Sequence, residues 1–224
     1  ANARAAAAYR RDASVQVSSG GTPQALSGCI NNVYYCEFYI LMGDKVVSGS
    51  SGTGFLLNDG KFVTAQHVID PFYRIVIDTS TGEPDENSLL LNAFMNQSPA
   101  NFTCKFTAIS PSGDKIVKTF APNQNPFRMG ARGLETLGTI PYQNMQLAVR
   151  CTNGNSINDY AWFSTGKNGG LDFDAAMSTS MPVKTHLDIL GFPMGVGAEN
   201  KSNLSPIFSE SSVARDGLDT DGCI

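Results

Sequence analysis

Along this chain the apolar positions fall in short runs broken by turn-forming residues. From Val33 onward the runs are VYYCEFYILM, VVSGSSGTGFLL, KFVTAQHVI and YRIVID. Aromatic and β-branched residues dominate them, which predicts strands. Gly43-Asp44 and Asn58-Asp59-Gly60 separate the runs, and the second triplet is a strong signal for a tight turn. A β-meander is expected.

Residues 79 to 101 are rich in Ser, Asn, Pro and Gly around a short LLLNAFM run, which reads as a long loop with one embedded strand. FTCKFTAI, KIVKTF, MQLAVRC and DYAWF continue the series of strands, with residues 111 to 114 as a hairpin turn. Residues 122 to 144 are polar and irregular and are expected to wrap over a surface. After a polar connector at 166 to 170 a second, shorter set follows in HLDILGFP, IFSESSVAR and DTDGCI. The first 28 residues, alanine-rich and then Ser/Gly/Thr/Pro-rich, read as an extension and linker. No repeat period appears, so a propeller or solenoid is disfavoured.

A chain of 224 residues, 42% apolar and 16% charged with 22 glycines, fits one large all-β domain better than two average ones. The net charge of −4 gives no general attraction for nucleic acid or an anionic membrane. No apolar run approaches the ~20 residues that cross a bilayer, so neither nucleic acid nor membrane is an expected partner. The protein is expected to be soluble and its compartment is left open, with the cytoplasm favoured; position 1 is alanine, so a lost signal or upstream domain stays open. Cys29, Cys36, Cys104, Cys151 and Cys223 are odd in number and contain no CxxC pair, so thiols are expected in place of zinc or a disulfide framework.

The most informative stretch runs from Ser51 to His67. Small residues lead into an apolar strand, a tight turn reverses it, and the returning strand is expected to end in Thr64-Ala65-Gln66-His67. A histidine just past a buried strand is held by a rigid scaffold yet can face a cleft, as a general base requires. On spacing alone a lone histidine after a strand is more often structural. Gly52-Thr53-Gly54-Phe55 and Val63-Thr64-Ala65-Gln66-His67 together resemble the trypsin/chymotrypsin-like peptidase superfamily, in which a G-T-G-F strand, a turn and a V-T-A-x-H strand carry the catalytic histidine. Val68 stands where many animal members have a disulfide cysteine, so the likeness is to bacterial and viral branches.

The resemblance implies a double antiparallel β-barrel with its active cleft between the barrels. Here the first barrel would span about 29 to 165 and part of the second about 166 to 224. It also implies an endopeptidase acting on protein or peptide substrates, with no cofactor or metal. A base of this kind needs a carboxylate behind it. Asp159, in Asn158-Asp159-Tyr160-Ala161-Trp162, resembles the family's aspartate at the entrance to a strand; an Asx turn is the structural alternative. Asp70 precedes Pro71 and suits a turn or cap, Asp78 ends a strand, and Asp172 and Asp174 lie in an acidic loop. His186 alternates with Leu187 and Ile189 as a partly exposed strand residue, and Gly191-Phe192-Pro193 matches the family's G-x-P ahead of the nucleophile loop.

The family's G-x-S-G-G or G-x-C-G stretch does not occur. Ser48 to Ser51 precede the histidine, and Ser209, Ser211 and Ser212 lack glycine neighbours. Cys223, in Asp221-Gly222-Cys223, resembles part of a viral cysteine-peptidase loop. By analogy DTDGCI better matches the strand ahead of that loop, which places a serine beyond Ile224. A continuation or a second chain would then complete the second barrel, since an incomplete barrel leaves an open edge. A non-catalytic peptide- or partner-binding pseudo-peptidase is the alternative in a different class.

Overall fold

The computed structural model describes residues 28–69, 101–129, 134–142, 145–152, 159–176, 180–195, 198 and 200–214, with the backbone alone between 134 and 152. The expected N-terminal extension up to residue 27, the YRIVID strand, the loop at 79 to 100 and the DTDGCI segment lie outside them. Eleven strands are present among the described residues: β1 Val33–Met42, β2 Lys45–Leu56, β3 Lys61–Thr64, β4 Phe102–Ile109, β5 Lys115–Phe120, β6 Arg128–Met129, β7 Leu134–Tyr142, β8 Met145–Thr152, β9 Ala161–Ser164, β10 His186–Gly191 and β11 Ile207–Ser212. A short helix, α1, spans Gln66–Ile69. The fold is all-β, and among the described residues no helix is long and apolar enough to cross a membrane.

Seven strands form one antiparallel sheet in the order β5-β4-β1-β2-β3-β9-β6. Its meander follows the turns: Gly60 has φ +80, a left-handed conformation that glycine adopts without strain, and its N–H bonds to Leu57 O at 3.0 Å to close the β2–β3 reversal. The β4–β5 hairpin closes in the same way through Ser110 and Gly113.

The sheet is strongly curled. Between β4 and β9 stand β1, β2 and β3, which in a flat sheet would hold them roughly 19 Å apart at ~4.8 Å per strand. Yet Phe106 of β4 and Phe163 of β9 meet edge to face with centroids 6.0 Å apart, and Lys118 Nζ of β5 lies 5.1 Å above the Phe163 ring. Phe127, between β5 and β6, fills the remaining space, 4.8 Å from Phe163 and 5.1 Å from Phe106. This aromatic packing holds the concave face together, each ring pair contributing about 0.5–1.5 kcal/mol beyond its area. β5 and β6 are not paired with each other, so these seven strands form a curled half-barrel.

β1 reads as a nearly continuous apolar run because it is covered on both sides. Tyr34, Cys36, Phe38 and Ile40 face the concave core, while Val33 and Tyr35 meet Phe192, Ala198 and Leu204 in a second cluster on the outer face. That cluster docks the β10–β11 pair through the segment joining its strands. β2 is rich in Ser and Gly because large side chains lie on it. A Cβ at Gly54 would stand 2.5 Å from Phe62 Cζ, one at Gly49 would stand 2.8 Å from the Tyr39 ring, and one at Gly52 would stand 2.5 Å from Val68.

Two expectations need correction. The returning strand ends at Thr64, and Gln66–Ile69 turns into α1 with Val68 N–H bonded to Ala65 O at 3.1 Å; Ala65, Val68 and Ile69 are apolar at helical spacing, and Val68 and Ile69 are buried. Residues 122 to 144 are not simply irregular: they contain β6 and the whole of β7. β7 pairs with β8 in a separate two-stranded sheet, so MQLAVRC lies outside the seven-stranded one. A bulge between Thr136 and Gly138 breaks the alternation that would have marked β7.

Asp114, after the β4–β5 turn, accepts from the buried Tyr34 hydroxyl at 2.8 Å and from Lys167 Nζ at 2.6 Å. The Lys167 ammonium, helped by that hydroxyl, holds its carboxyl below the usual carboxylate range although burial opposes this. A depressed folded-state value means stability that is present above the ordinary aspartate range and lost as pH falls through the lowered one. Urea unfolding at neutral and acidic pH is expected to show a smaller acid loss in Asp114→Asn than in the parent. Gly54→Ala is expected to cost about 1–3 kcal/mol in the same measurement, because Phe62 is fully buried and has no room to yield.

Candidate active site

β3 and β9 are adjacent and antiparallel, with Thr64 across from Ala161. The residues leaving β3 therefore lie beside those entering β9. This one pairing brings His67, on α1, to Asp159, two residues ahead of β9, across 92 positions of sequence. Asp159 Oδ2 stands 2.6 Å from His67 Nδ1, and Oδ1 accepts the His67 backbone N–H at 2.9 Å.

Engaging one residue with both oxygens fixes the carboxylate relative to the ring. A carboxylate at Nδ1 selects the tautomer that carries its proton there, leaves Nε2 as the basic nitrogen and stabilises the imidazolium. The His67 side chain is 46% exposed and that of Asp159 27%. The imidazole is thus open to a ligand while its partner is more covered.

The support beneath the histidine comes from β2. Val68 is buried against Gly52, Ser50 Oγ donates to Val68 O, and Thr64 Oγ1 donates to Thr53 O at 2.8 Å. Thr53 points to the opposite face, where its Oγ1 accepts the Phe192 N–H at 2.8 Å. Alternation therefore divides Gly52-Thr53-Gly54 between two faces, with the glycines making room for α1 and Phe62 and the threonine fastening the β10–β11 segment. Ser50 and Thr53 as anchors were missed by reading the sequence, although small residues at every second position of β2 were a visible signal.

The other singled-out residues stand elsewhere. His186 is exposed on β10 and bonded through Nε2 to Asp188 at 2.8 Å. Asp172 accepts from Asn58 Nδ2 on an exposed turn, and Asp174 is exposed. Ser209, Ser211 and Ser212 are exposed along β11. Asp70, Asp78 and Cys223 lie outside the described residues. Among the described residues no hydroxyl or thiol is hydrogen-bonded to His67 Nε2. Burial pushes the Cys36 thiol far up and the Cys104 thiol up to about 11, which removes both as nucleophiles at neutral pH. Where a metal is concerned, His186, Asp188 and Glu210 form the cluster of suitable ligands among the described residues.

A second polar network was also missed. Glu37 on the outer face of β1 accepts from Tyr35 at 3.2 Å, Tyr39 at 3.1 Å and Lys201 Nζ at 2.7 Å. Its side chain is only 12% exposed, and a single charge inside VYYCEFYILM was the available hint. Burial first, and Glu37 with it, raises the Tyr39 hydroxyl, while the bond to Glu37 raises Lys201. This pair fastens the 200–204 segment to β1 beside Tyr35.

No family model matches the chain, and no curated protein does.

Asp159→Asn removes the charge and presents an amide to the ring. Nitrogen-15 NMR of the neutral His67 imidazole is expected to show the Nδ1–H tautomer in the parent and a substantial Nε2–H population in the variant. An unchanged tautomer would mean that the carboxylate does not orient the ring.

Proposed function

We propose that the chain is the larger part of a chymotrypsin-like endopeptidase, with His67 as general base and Asp159 as the residue that orients it. The observation that carries this reading is the bidentate seat of His67 on Asp159, 2.6 Å at the ring and 2.9 Å at the backbone, beside a curled antiparallel sheet. In this reading residues 29 to 165 correspond to the first barrel and 166 to 224 open the second. The docking of β10–β11 on the outer face of β1 and β2 supports it. So does the exposure of Ile189, Ile207 and Phe208 on that pair, which further strands from a continuation or a second chain would cover.

The chemistry is acyl transfer. His67 Nε2 takes the proton of a serine hydroxyl or a cysteine thiol as its oxygen or sulfur bonds to the scissile carbonyl carbon, giving a tetrahedral oxyanion. The imidazolium, stabilised by Asp159, returns that proton to the departing amine as the C–N bond breaks. Water activated by the same nitrogen then hydrolyses the acyl-enzyme. The nucleophile follows β11, as a serine beyond Ile224 or as Cys223.

The test uses the protein extended through the reading frame after Ile224. His67→Ala is expected to lower peptidase kcat/KM by about 10⁴- to 10⁶-fold with unchanged circular dichroism, and retained cleavage would refute the assignment. Labelling by a fluorophosphonate identifies a serine, whereas thiol alkylation that is lost in Cys223→Ser identifies the cysteine. An extended protein that neither cleaves peptides nor takes either label would belong to the non-catalytic alternative.

A further inference from the structure

We infer that the solvent face of the β10–β11 pair is a binding site for a divalent transition-metal ion of the zinc type, built by His186, Asp188 and Glu210. His186 and Asp188 are two apart on β10, so the alternation of a strand places both on one face. Asp188 is directly across from Glu210 of β11, and His186 from Ser212. One ligand atom from each of His186, Asp188 and Glu210 lies within 4.8 Å of the other two.

Geometry and donor type agree. A tetrahedral zinc ion with bonds of ~2.0 Å holds neighbouring ligand atoms about 3.3 Å apart, and His186 Nε2 and Asp188 Oδ1 are already 2.8 Å apart. All three side chains belong to exposed residues, so closing the set around an ion costs rotamer freedom but displaces no packed neighbour. One imidazole and two carboxylates, with space left for water, match an open zinc site, whereas calcium and magnesium favour all-oxygen sets.

Electrostatics gives an independent reason. Two carboxylates directly opposite each other on paired strands repel. Asp188 has His186 as its ion-pair partner, but among the described residues Glu210 makes no hydrogen bond or ion pair. A dication between them converts repulsion into attraction. It also joins two strands that hold few others: β11 is exposed along its whole length, and β10 is its one strand partner among the described residues. Metal bridging the two strands would stabilise the pair by linkage.

The chain has 2 histidines, so His67→Ala leaves His186 as the one imidazole and removes any competing metal site at the dyad. In that background, Zn²⁺ alone is titrated and followed by calorimetry and by NMR of the His186 ring. One ion per chain is expected, with displacement of the ring resonances and a raised Tm. Glu210→Gln and Asp188→Asn are each expected to weaken binding about tenfold or more with unchanged circular dichroism. If Asp188→Asn does not fold, Glu210→Gln on its fully exposed strand decides alone. Zn²⁺ that leaves the His186 ring unperturbed, or binds Glu210→Gln as tightly as the parent background, overturns the inference.

Discussion

The function proposed for this protein depends on the antiparallel pairing of β3 with β9. Four residue pairs, Lys61 with Ser164 through Thr64 with Ala161, bring the end of one strand to the start of another that is distant in sequence. Without that pairing His67 and Asp159 are two unrelated polar residues. With it, their meeting is a geometric consequence of strand direction, and a two-point seat on the carboxylate replaces the ring's rotational freedom.

The pairing is held by what lies on each side of it. Phe62 and Phe163, themselves register partners, carry it into the aromatic core, where Phe106 and Phe127 close over them from the other side of the curl. β2 holds it from behind, with Gly54 admitting Phe62 and Gly52 admitting Val68. The same strand sends Thr53 outward to the Phe192 amide. The position of His67 and the attachment of β10 and β11 are therefore coupled through three consecutive residues.

Much of this was legible in the residues themselves. The aromatic and β-branched runs of β1, β4 and β5 declare themselves, because strand packing selects those side chains, and β10 is marked by alternation. The Asn58-Asp59-Gly60 turn carries its own chemistry, and Asp159 stands two residues ahead of β9. What was hidden was hidden for local reasons. In KFVTAQHVI the β-branched residues on both sides disguised a switch from strand to helical turn at Ala65. In LETLGTIPY a glycine, a proline and the bulge after Thr136 obscured a nine-residue strand. The roles of Glu37, Asp114 and Lys167 depend on contacts between distant segments, which no local pattern encodes.

The central claim is that His67 and Asp159 act as one unit. The most direct measurement is a double-mutant cycle in peptidase kcat/KM, comparing His67→Ala, Asp159→Ala and the pair in the protein extended beyond Ile224. A carboxylate that works only through the imidazole predicts a double variant no slower than His67→Ala alone. Losses that multiply across the two sites would contradict it.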